Sequence, residues 1–138
     1  MKSFKLLLLS GLLISASSIL SGCDSGGSDG GGSSVSCDDI AGQYYGSFKD
    51  NCAGGSYVSG EMTVSVDAEC SFSGSSSHRV LIAGSFTSRD GGALHGNGTT
   101  DSSGCGEFNI NCNHSGNSVS CSYSYANGRD GSYSGQRR

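Results

Sequence analysis

The stretch 107–125, EFNINCNHSGNSVSCSYSY, decides the fold of this chain. In its first half every second side chain is apolar, from Phe108 through Ile110 to Cys112. In its second half Val119 begins the same alternation with serines, and a Ser-Gly-Asn turn signal separates the halves. Alternation with a period of two is the pattern of a strand with one buried face. The stretch therefore predicts an antiparallel β-hairpin.

The same alternation continues through the rest of residues 37–138, which we take as one β-meander domain. Further strands are predicted around 44–48, 61–67, 72–74, 80–86, 94–99 and 131–135. Turn signals such as Asp-Gly and Asn-Gly separate these runs, and no helical period occurs. Because hairpin after hairpin is the simplest topology, we predict an all-β, eight-stranded antiparallel up-and-down meander.

Glycines that precede an aromatic residue by two positions indicate how the sheet curves. The pattern occurs, for example, at Gly84-Ser85-Phe86. A ring can cover a strand glycine on the same face, and glycine lets a narrow sheet curl. With an even number of strands, the first and last run antiparallel and can pair. We expect a closed or nearly closed small barrel, with an open curled sheet as the alternative, and an interior filled with side chains.

The composition excludes several classes of protein. Of 138 residues, 24 are glycine and none is proline, and serine is even more frequent than glycine. Glycine and serine are poor helix formers, so a helical bundle is excluded. The formal net charge of −4 and the lack of a basic patch argue against a nucleic-acid partner. The apolar content is low, so we expect covalent links to support the core.

Residues 1–22 are typical of a signal peptide for export. Lys2 and Lys5 give a positive start, and residues 6–14 form an apolar run broken only by a serine and a glycine. The run is too short and too interrupted for a spanning helix. The sequence therefore predicts an exported protein.

The segment Leu20-Ser21-Gly22-Cys23 resembles the lipobox of bacterial lipoproteins. The resemblance implies that the Cys23 thiol receives a diacylglycerol, that the chain is cleaved before it, and that the new amino terminus is acylated, with palmitate among the expected acyl chains. Such an anchor holds a protein stably at a membrane. An ordinary secretory signal with a coincidental cysteine is the alternative.

The predicted mature chain begins with the lipidated Cys23 and a tether, together residues 23–36. Glycine and serine dominate this tether, which predicts a flexible coil. We expect a location in the bacterial cell envelope, anchored to a membrane by lipid. Asp24 resembles the signal for inner-membrane retention in enteric bacteria. Other bacterial groups follow different rules, so both the inner and the outer membrane remain open.

The six remaining cysteines form an even set in an exported chain, which predicts three disulfides. The meander brings Cys37 and Cys70 to one end of the sheet, and it brings Cys52 and Cys105 to the other end. Cys112 and Cys121 face each other on one hairpin. The predicted pairs are Cys37–Cys70, Cys52–Cys105 and Cys112–Cys121. Zinc is the rival interpretation, but C-x2-C spacing is missing. We expect neither a metal site nor a cofactor.

Candidate catalytic residues do not converge in the predicted fold. We expect His78 in a loop, His95 on the outer face of a strand, and His114 at a hairpin turn. Asp38 and Asp39 are paired carboxylates, but they precede the first strand and are typical of a solvated turn. We therefore predict no catalytic residues, with a hydrolase as the least favoured alternative.

The leading hypothesis is a lipid-anchored envelope protein with a non-enzymatic binding or structural role. Gly131–Arg137, GSYSGQR, loosely resembles strands in the small barrel modules of surface lipoproteins, which implies an envelope or host protein as partner. Tyr45 and Tyr57 are the exposed candidates for a binding surface. The predicted loop 50–60, which contains Tyr57, is either a binding loop or a plain spacer.

Two alternatives make different structural predictions. A small-ligand carrier of lipocalin-like shape needs a continuous apolar cavity, and a solid interior would exclude it. An enzyme needs a half-buried histidine with a perturbed pKa beside an acid and a nucleophile.

Overall fold

Alternating side chains and tight turns produce a closed β-barrel. The computed structural model describes residues 35–52 and 54–138. The strands of this part are β1 (Gly42–Asp50), β2 (Val58–Val66), β3 (Ser71–Ser76), β4 (Leu81–Asp90), β5 (Ala93–Thr100), β6 (Glu107–Ser115), β7 (Ser118–Tyr125) and β8 (Asp130–Arg137). Each strand pairs antiparallel with the next, and β8 pairs with β1. The predicted eight-stranded meander and its closure are confirmed.

Several predictions lie outside the described residues. These are the signal peptide 1–22, the lipidated Cys23 and all of the tether except its last two residues. Within residues 35–52 and 54–138, no helix is long and apolar enough to cross a membrane.

The hairpins are short because glycines occupy the positions that require a left-handed backbone. Gly91 has φ of 57° in the connection from β4 to β5, and Gly116 has φ of 59° in the connection from β6 to β7. Glycine adopts this conformation without a steric penalty. These turns set the register of the hairpins they join, including the pairing of Cys112 with Cys121.

Inward-facing glycines let aromatic rings lie flat against the barrel wall. Phe72 is the register partner of Gly84, and Phe108 is the partner of Gly98. A Cβ atom added to Gly84 would lie 2.5 Å from Cζ of Phe72, and one added to Gly98 would lie 2.7 Å from Cζ of Phe108. The covering ring at these two glycines therefore belongs to the neighbouring strand. At Gly84 it is Phe72, and not Phe86 of the same strand.

Three disulfides link the barrel, and they are the pairs that the meander geometry predicted. The Cα–Cα distance is 5.1 Å in Cys37–Cys70. It is 5.5 Å in Cys52–Cys105 and 4.0 Å in Cys112–Cys121. The first ties the segment before β1 to the start of β3, and the second joins two loops at the opposite end of the barrel.

The segment 37–41 covers the end of the barrel where β1 begins, which we call the plugged end. Ile40 is buried there, and its carbonyl oxygen accepts a hydrogen bond of 2.7 Å from the Tyr44 hydroxyl. Arg137 donates to the carbonyl oxygen of Asp39 over 2.8 Å. Arg89 forms an ion pair of 2.6 Å with the Asp39 carboxylate and lowers the pKa of that group to about 2. These contacts hold the plug on the barrel.

Candidate functional site

The barrel is hollow. It contains a cavity of about 240 Å³, lined by inward-facing side chains from all eight strands. The expectation of an interior filled with side chains was therefore wrong. The physical reason is that inward positions such as Gly84 and Gly98 carry no side chain, and neighbouring rings lie against the wall there.

Eight phenylalanine and tyrosine rings lie in the cavity wall. The rings that line it belong to Tyr44, Phe48, Phe72, Phe86, Phe108, Tyr123, Tyr125 and Tyr133. Phe72 and Phe86 have ring centroids 5.1 Å apart in a tilted arrangement, and Phe108 meets Tyr125 edge-on at 5.9 Å. Such offset and edge-to-face pairs are the preferred geometries of aromatic contacts. The wall is therefore apolar and its rings support one another.

The cavity reaches solvent at the end opposite the plug, which we call the mouth. Its lining there includes Asp50, Val58, His78, Val80 and Ser102. Val58 is 44% exposed although it lines the cavity. An exposed apolar side chain that also faces the interior marks the entrance.

A polar cluster of Asp50, Tyr123 and Tyr125 lies on the inner side of the mouth. Oδ2 of Asp50 accepts hydrogen bonds from the hydroxyls of Tyr125 at 2.6 Å and Tyr123 at 3.0 Å. Oδ1 accepts from the backbone N–H of Cys52 at 2.5 Å. Gly131 lies between Asp50 and Tyr123 in the register, so no side chain separates them.

Both tyrosines of the cluster are neutral hydrogen-bond donors. Burial raises the pKa of Tyr123 far above its ordinary value, and the negative charge of Asp50 raises it further. Burial and the hydrogen bond to Asp50 do the same for Tyr125. At physiological pH each hydroxyl keeps its proton and directs it to the carboxylate.

Sequence reasoning missed Asp50 as a site residue. The predicted strand ended at Phe48, so Asp50 was assigned to the following loop. The signal was present, because Tyr44, Gly46, Phe48 and Asp50 share one parity and therefore one face of a strand. Extending the alternation by two residues places the carboxylate inside the barrel.

Tyr45 and Tyr57 are exposed, with 38% and 47% of their surfaces accessible. The Tyr57 ring lies beneath Lys49, with Nζ at 4.6 Å from the ring centroid. Lys49 is about 13 Å further along β1 than Tyr45, at the usual rise per residue. The hydroxyl of Tyr57 donates to Asp130, and that of Tyr45 donates to Gln43. Neither ring lines the cavity.

The three histidines lie in separate places. His78 is at the mouth, where its ring meets Phe48 edge-on with centroids 5.7 Å apart. His95 is on the outer face of β5, and its Nδ1 lies 2.5 Å from Oδ1 of Asn111. In the part of the chain that the structure describes, no group of three or more histidine, cysteine, aspartate or glutamate residues is placed to hold a metal ion.

His114 corrects one expectation, because it does not lie in a hairpin turn. It belongs to β6 and lines the cavity near the plugged end, where its ring is edge-on to Tyr44 with centroids 6.1 Å apart. Its Nε2 is buried without a hydrogen-bond partner among the described residues. Burial lowers the pKa of His114, and the positive charge of Arg137 lowers it further.

The fold and the cavity together define a class of protein, the small closed antiparallel β-barrel with an apolar interior and one polar entrance. Neither a protein-family model nor a curated protein matches the chain. Among solved structures, it is similar to a de novo designed fluorescence-activating β-barrel. The two are 19% identical over 75% of this chain and 99% of that chain, with a TM-score of 0.48. The likeness concerns the fold alone.

Proposed function

We propose that this protein binds one small, largely apolar molecule in the barrel cavity. The observation that carries the proposal is the cavity of about 240 Å³, which aromatic and aliphatic side chains line and which reaches solvent at the mouth. An apolar cavity of about 150 Å³ is sufficient to bind benzene. The barrel therefore has room for a molecule about the size of two fused six-membered rings.

The role that we propose is binding without catalysis. The separation of His78, His95 and His114 supports this role, because a nucleophile, a base and an acid must converge for hydrolysis. His114 is half-buried with a lowered pKa, but its nearest carboxylate partner, Asp39, is engaged by Arg89. The small-ligand carrier is therefore the function that the geometry favours.

Saturable binding of 2-naphthylmethanol, a neutral two-ring probe, tests the proposal by calorimetry. We expect one site per chain. Val64→Phe and Ile110→Phe each fill part of the cavity, and the variant that keeps a cooperative thermal transition should lose at least about 90% of its affinity. Leu81→Phe is the matched control, because Leu81 is exposed and does not line the cavity. No saturable binding to the wild type, or equal binding in a folded cavity-filled variant, would overturn the proposal.

We also propose that the barrel is anchored by a lipid on Cys23 in the bacterial envelope. The positive start, the apolar run and the Leu-Ser-Gly-Cys segment support this proposal. The barrel domain supports it through the position of Val35, whose carbonyl oxygen is 3.3 Å from Sγ of Cys70 at the plugged end. We propose that the mouth, at the other end of the barrel, receives the ligand from solution or from an envelope or host protein.

Intact mass of the protein purified from membranes tests the anchor. We expect a chain that begins at an acylated Cys23, with six thiols that appear only after reduction. An uncleaved chain, or a cleaved chain without acyl groups, would contradict the anchor and leave the cavity proposal unaffected.

A further inference from the structure

We propose that the ligand is a cation, namely a small protonated amine whose apolar body fills the cavity and whose ammonium group binds Asp50. This inference rests on the proposed function, because it names the chemical class of molecule that the cavity would hold. It is carried by the placement of one carboxylate on the inner side of an apolar, ring-lined mouth.

The charge at the mouth is negative and has no cationic partner. Among the described residues that line the cavity, Asp50 is the one carboxylate, and lysine and arginine are missing. The ion pair of the described chain, between Arg89 and Asp39, lies at the plugged end. A half-buried carboxylate in an apolar site strongly favours a positive ligand group over a neutral or negative one.

The neighbouring cations are engaged elsewhere. Arg129 donates to the backbone carbonyl of Cys52 over 2.5 Å. Lys49 lies over the ring of Tyr57 on the outer wall. Asp130 accepts the hydrogen bond of Tyr57, so it adds negative charge near the mouth.

The hydroxyl hydrogens of the polar cluster are already donated to Asp50, so the cluster offers a ligand only acceptors and the ligand must donate. The hydroxyls of Tyr123 and Tyr125 direct their hydrogens to Oδ2 of Asp50 and offer only lone pairs to a guest. Oδ1 accepts one backbone N–H, from Cys52, and a carboxylate oxygen has capacity for a second donor. An ammonium group carries three donors, whereas the carboxylate of a fatty acid has none. The cluster therefore selects an amine and repels an acid.

The aromatic wall also suits a cation. Rings of Tyr123, Tyr125 and Phe48 line the cavity on the side of Asp50. A positive charge is attracted to the face of such rings at about 6 Å or less from the centroid. The remaining volume is apolar, so the rest of the ligand should be an aromatic or branched hydrocarbon of about ten carbon atoms, scaled from benzene in a cavity of about 150 Å³.

Three probes of matched shape test the inference at pH 7. They are 2-naphthylmethylamine, 2-naphthylmethanol and 2-naphthoate, which differ in the charge of the group that would meet Asp50. Calorimetry on the wild type should give at least about tenfold tighter binding of the amine than of the alcohol, and the weakest binding of the acid. This ranking needs no variant and is therefore independent of effects on folding.

Asp50→Asn removes the charge and keeps the shape of the side chain. We expect the amine to lose its tenfold advantage over the alcohol in this variant. Asp90→Asn is the matched control, because it removes the same charge from an exposed position at the opposite end of the barrel. The amine preference should persist in this control.

The outcomes separate the inference from the proposed function. If the alcohol binds and the amine binds no tighter, or if the preference survives in folded Asp50→Asn, the amine inference is wrong and the cavity proposal stands. If none of the three probes binds the wild type, both are wrong.

Discussion

The hydroxyl of Tyr125 donates a hydrogen bond of 2.6 Å to Oδ2 of Asp50, although the two residues are 75 positions apart in the sequence. Asp50 ends β1 and Tyr125 ends β7, and β8 pairs with both strands. The bond therefore spans β8 on the inner face of the barrel. It fixes the polar end of an otherwise apolar cavity. The polar cluster at the mouth therefore forms only when β8 pairs with β1 and closes the barrel.

Removal of this hydroxyl should destabilise the barrel. Tyr125→Phe leaves Asp50 with the weaker bond from Tyr123, and hydrogen bonds to charged groups contribute about 1.5–3 kcal/mol. We expect the free energy of unfolding in urea to fall by this amount. Tyr45→Phe is the control, because the Tyr45 hydroxyl is exposed and should change stability by at most about 0.5 kcal/mol. Equal effects of the two variants would show that the cluster does not support the fold.

The disulfide at the mouth should contribute more to stability than the disulfide within a hairpin. Cys52–Cys105 closes a loop with a sequence separation of 53, whereas Cys112–Cys121 closes one of 9. Loop-closure entropy predicts losses of about 4 and about 2.5 kcal/mol respectively when each pair is replaced by alanines. Urea unfolding of the two double variants checks the order. The reverse order would mean that the unfolded chain already holds the two mouth loops together.

The covered glycines should not tolerate a methyl group. Gly84→Ala places a Cβ atom 2.5 Å from the Phe72 ring and even closer to the backbone oxygen of Asn97, and Gly98→Ala places one 2.7 Å from both the Phe108 ring and the backbone oxygen of Ala83. The rings must move towards the cavity and the strand backbone must shift as well. We expect each substitution to lower the free energy of unfolding by about 1–3 kcal/mol. Ser73→Ala, at an exposed position of β3, should stay within about 0.5 kcal/mol. Loss of affinity for the naphthyl probes should accompany the first two substitutions, because the displaced rings reduce the cavity volume.

His114 should make the barrel less stable as the pH falls below about 6.5. The folded protein has the lower histidine pKa because burial disfavours the charged ring, so the unfolded chain takes up the proton first. The contribution of the neutral ring is complete above the unfolded pKa, near 6.5, and is lost as the pH falls towards the folded value. Urea unfolding should show that the free energy of unfolding of the wild type is lower at pH 5.5 than at pH 7.5. The decrease should be smaller in His114→Asn. An equal drop in both proteins would contradict this origin.

Much of the fold could be predicted from local patterns. The alternation of Phe108, Ile110 and Cys112 with asparagines specified an inward face, and turn signals specified where each strand reverses. Once the order of strands was set, the disulfide pairs followed from which cysteines share an end of the barrel. Exposure of Tyr45 followed from the same parity argument, and exposure of Tyr57 followed from its predicted place in a loop, although their function did not.

The volume of the cavity and the contacts across its mouth depended on relationships that no local pattern contains. Whether the interior is filled or hollow depends on which inward side chains lie opposite each other at the same level along the barrel axis. The register of all eight strands sets that level for each side chain. Asp50 and Tyr125 meet because β8 brings β1 and β7 together, with Gly131 between the carboxylate and the neighbouring Tyr123. His114 faces the interior because β6 extends to Ser115, so that His114 continues the inward parity of Ile110 and Cys112.

The sequence by itself therefore determined the strands, the turns and the disulfide framework. Each of these depends on residues that are near in the chain or on the simple order of hairpins. Only the tertiary structure decided that the barrel encloses a cavity and that one carboxylate lies at its mouth. The physical reason is that alternation specifies which face of a strand is buried, whereas the volume left between opposite walls is a property of all eight strands at once.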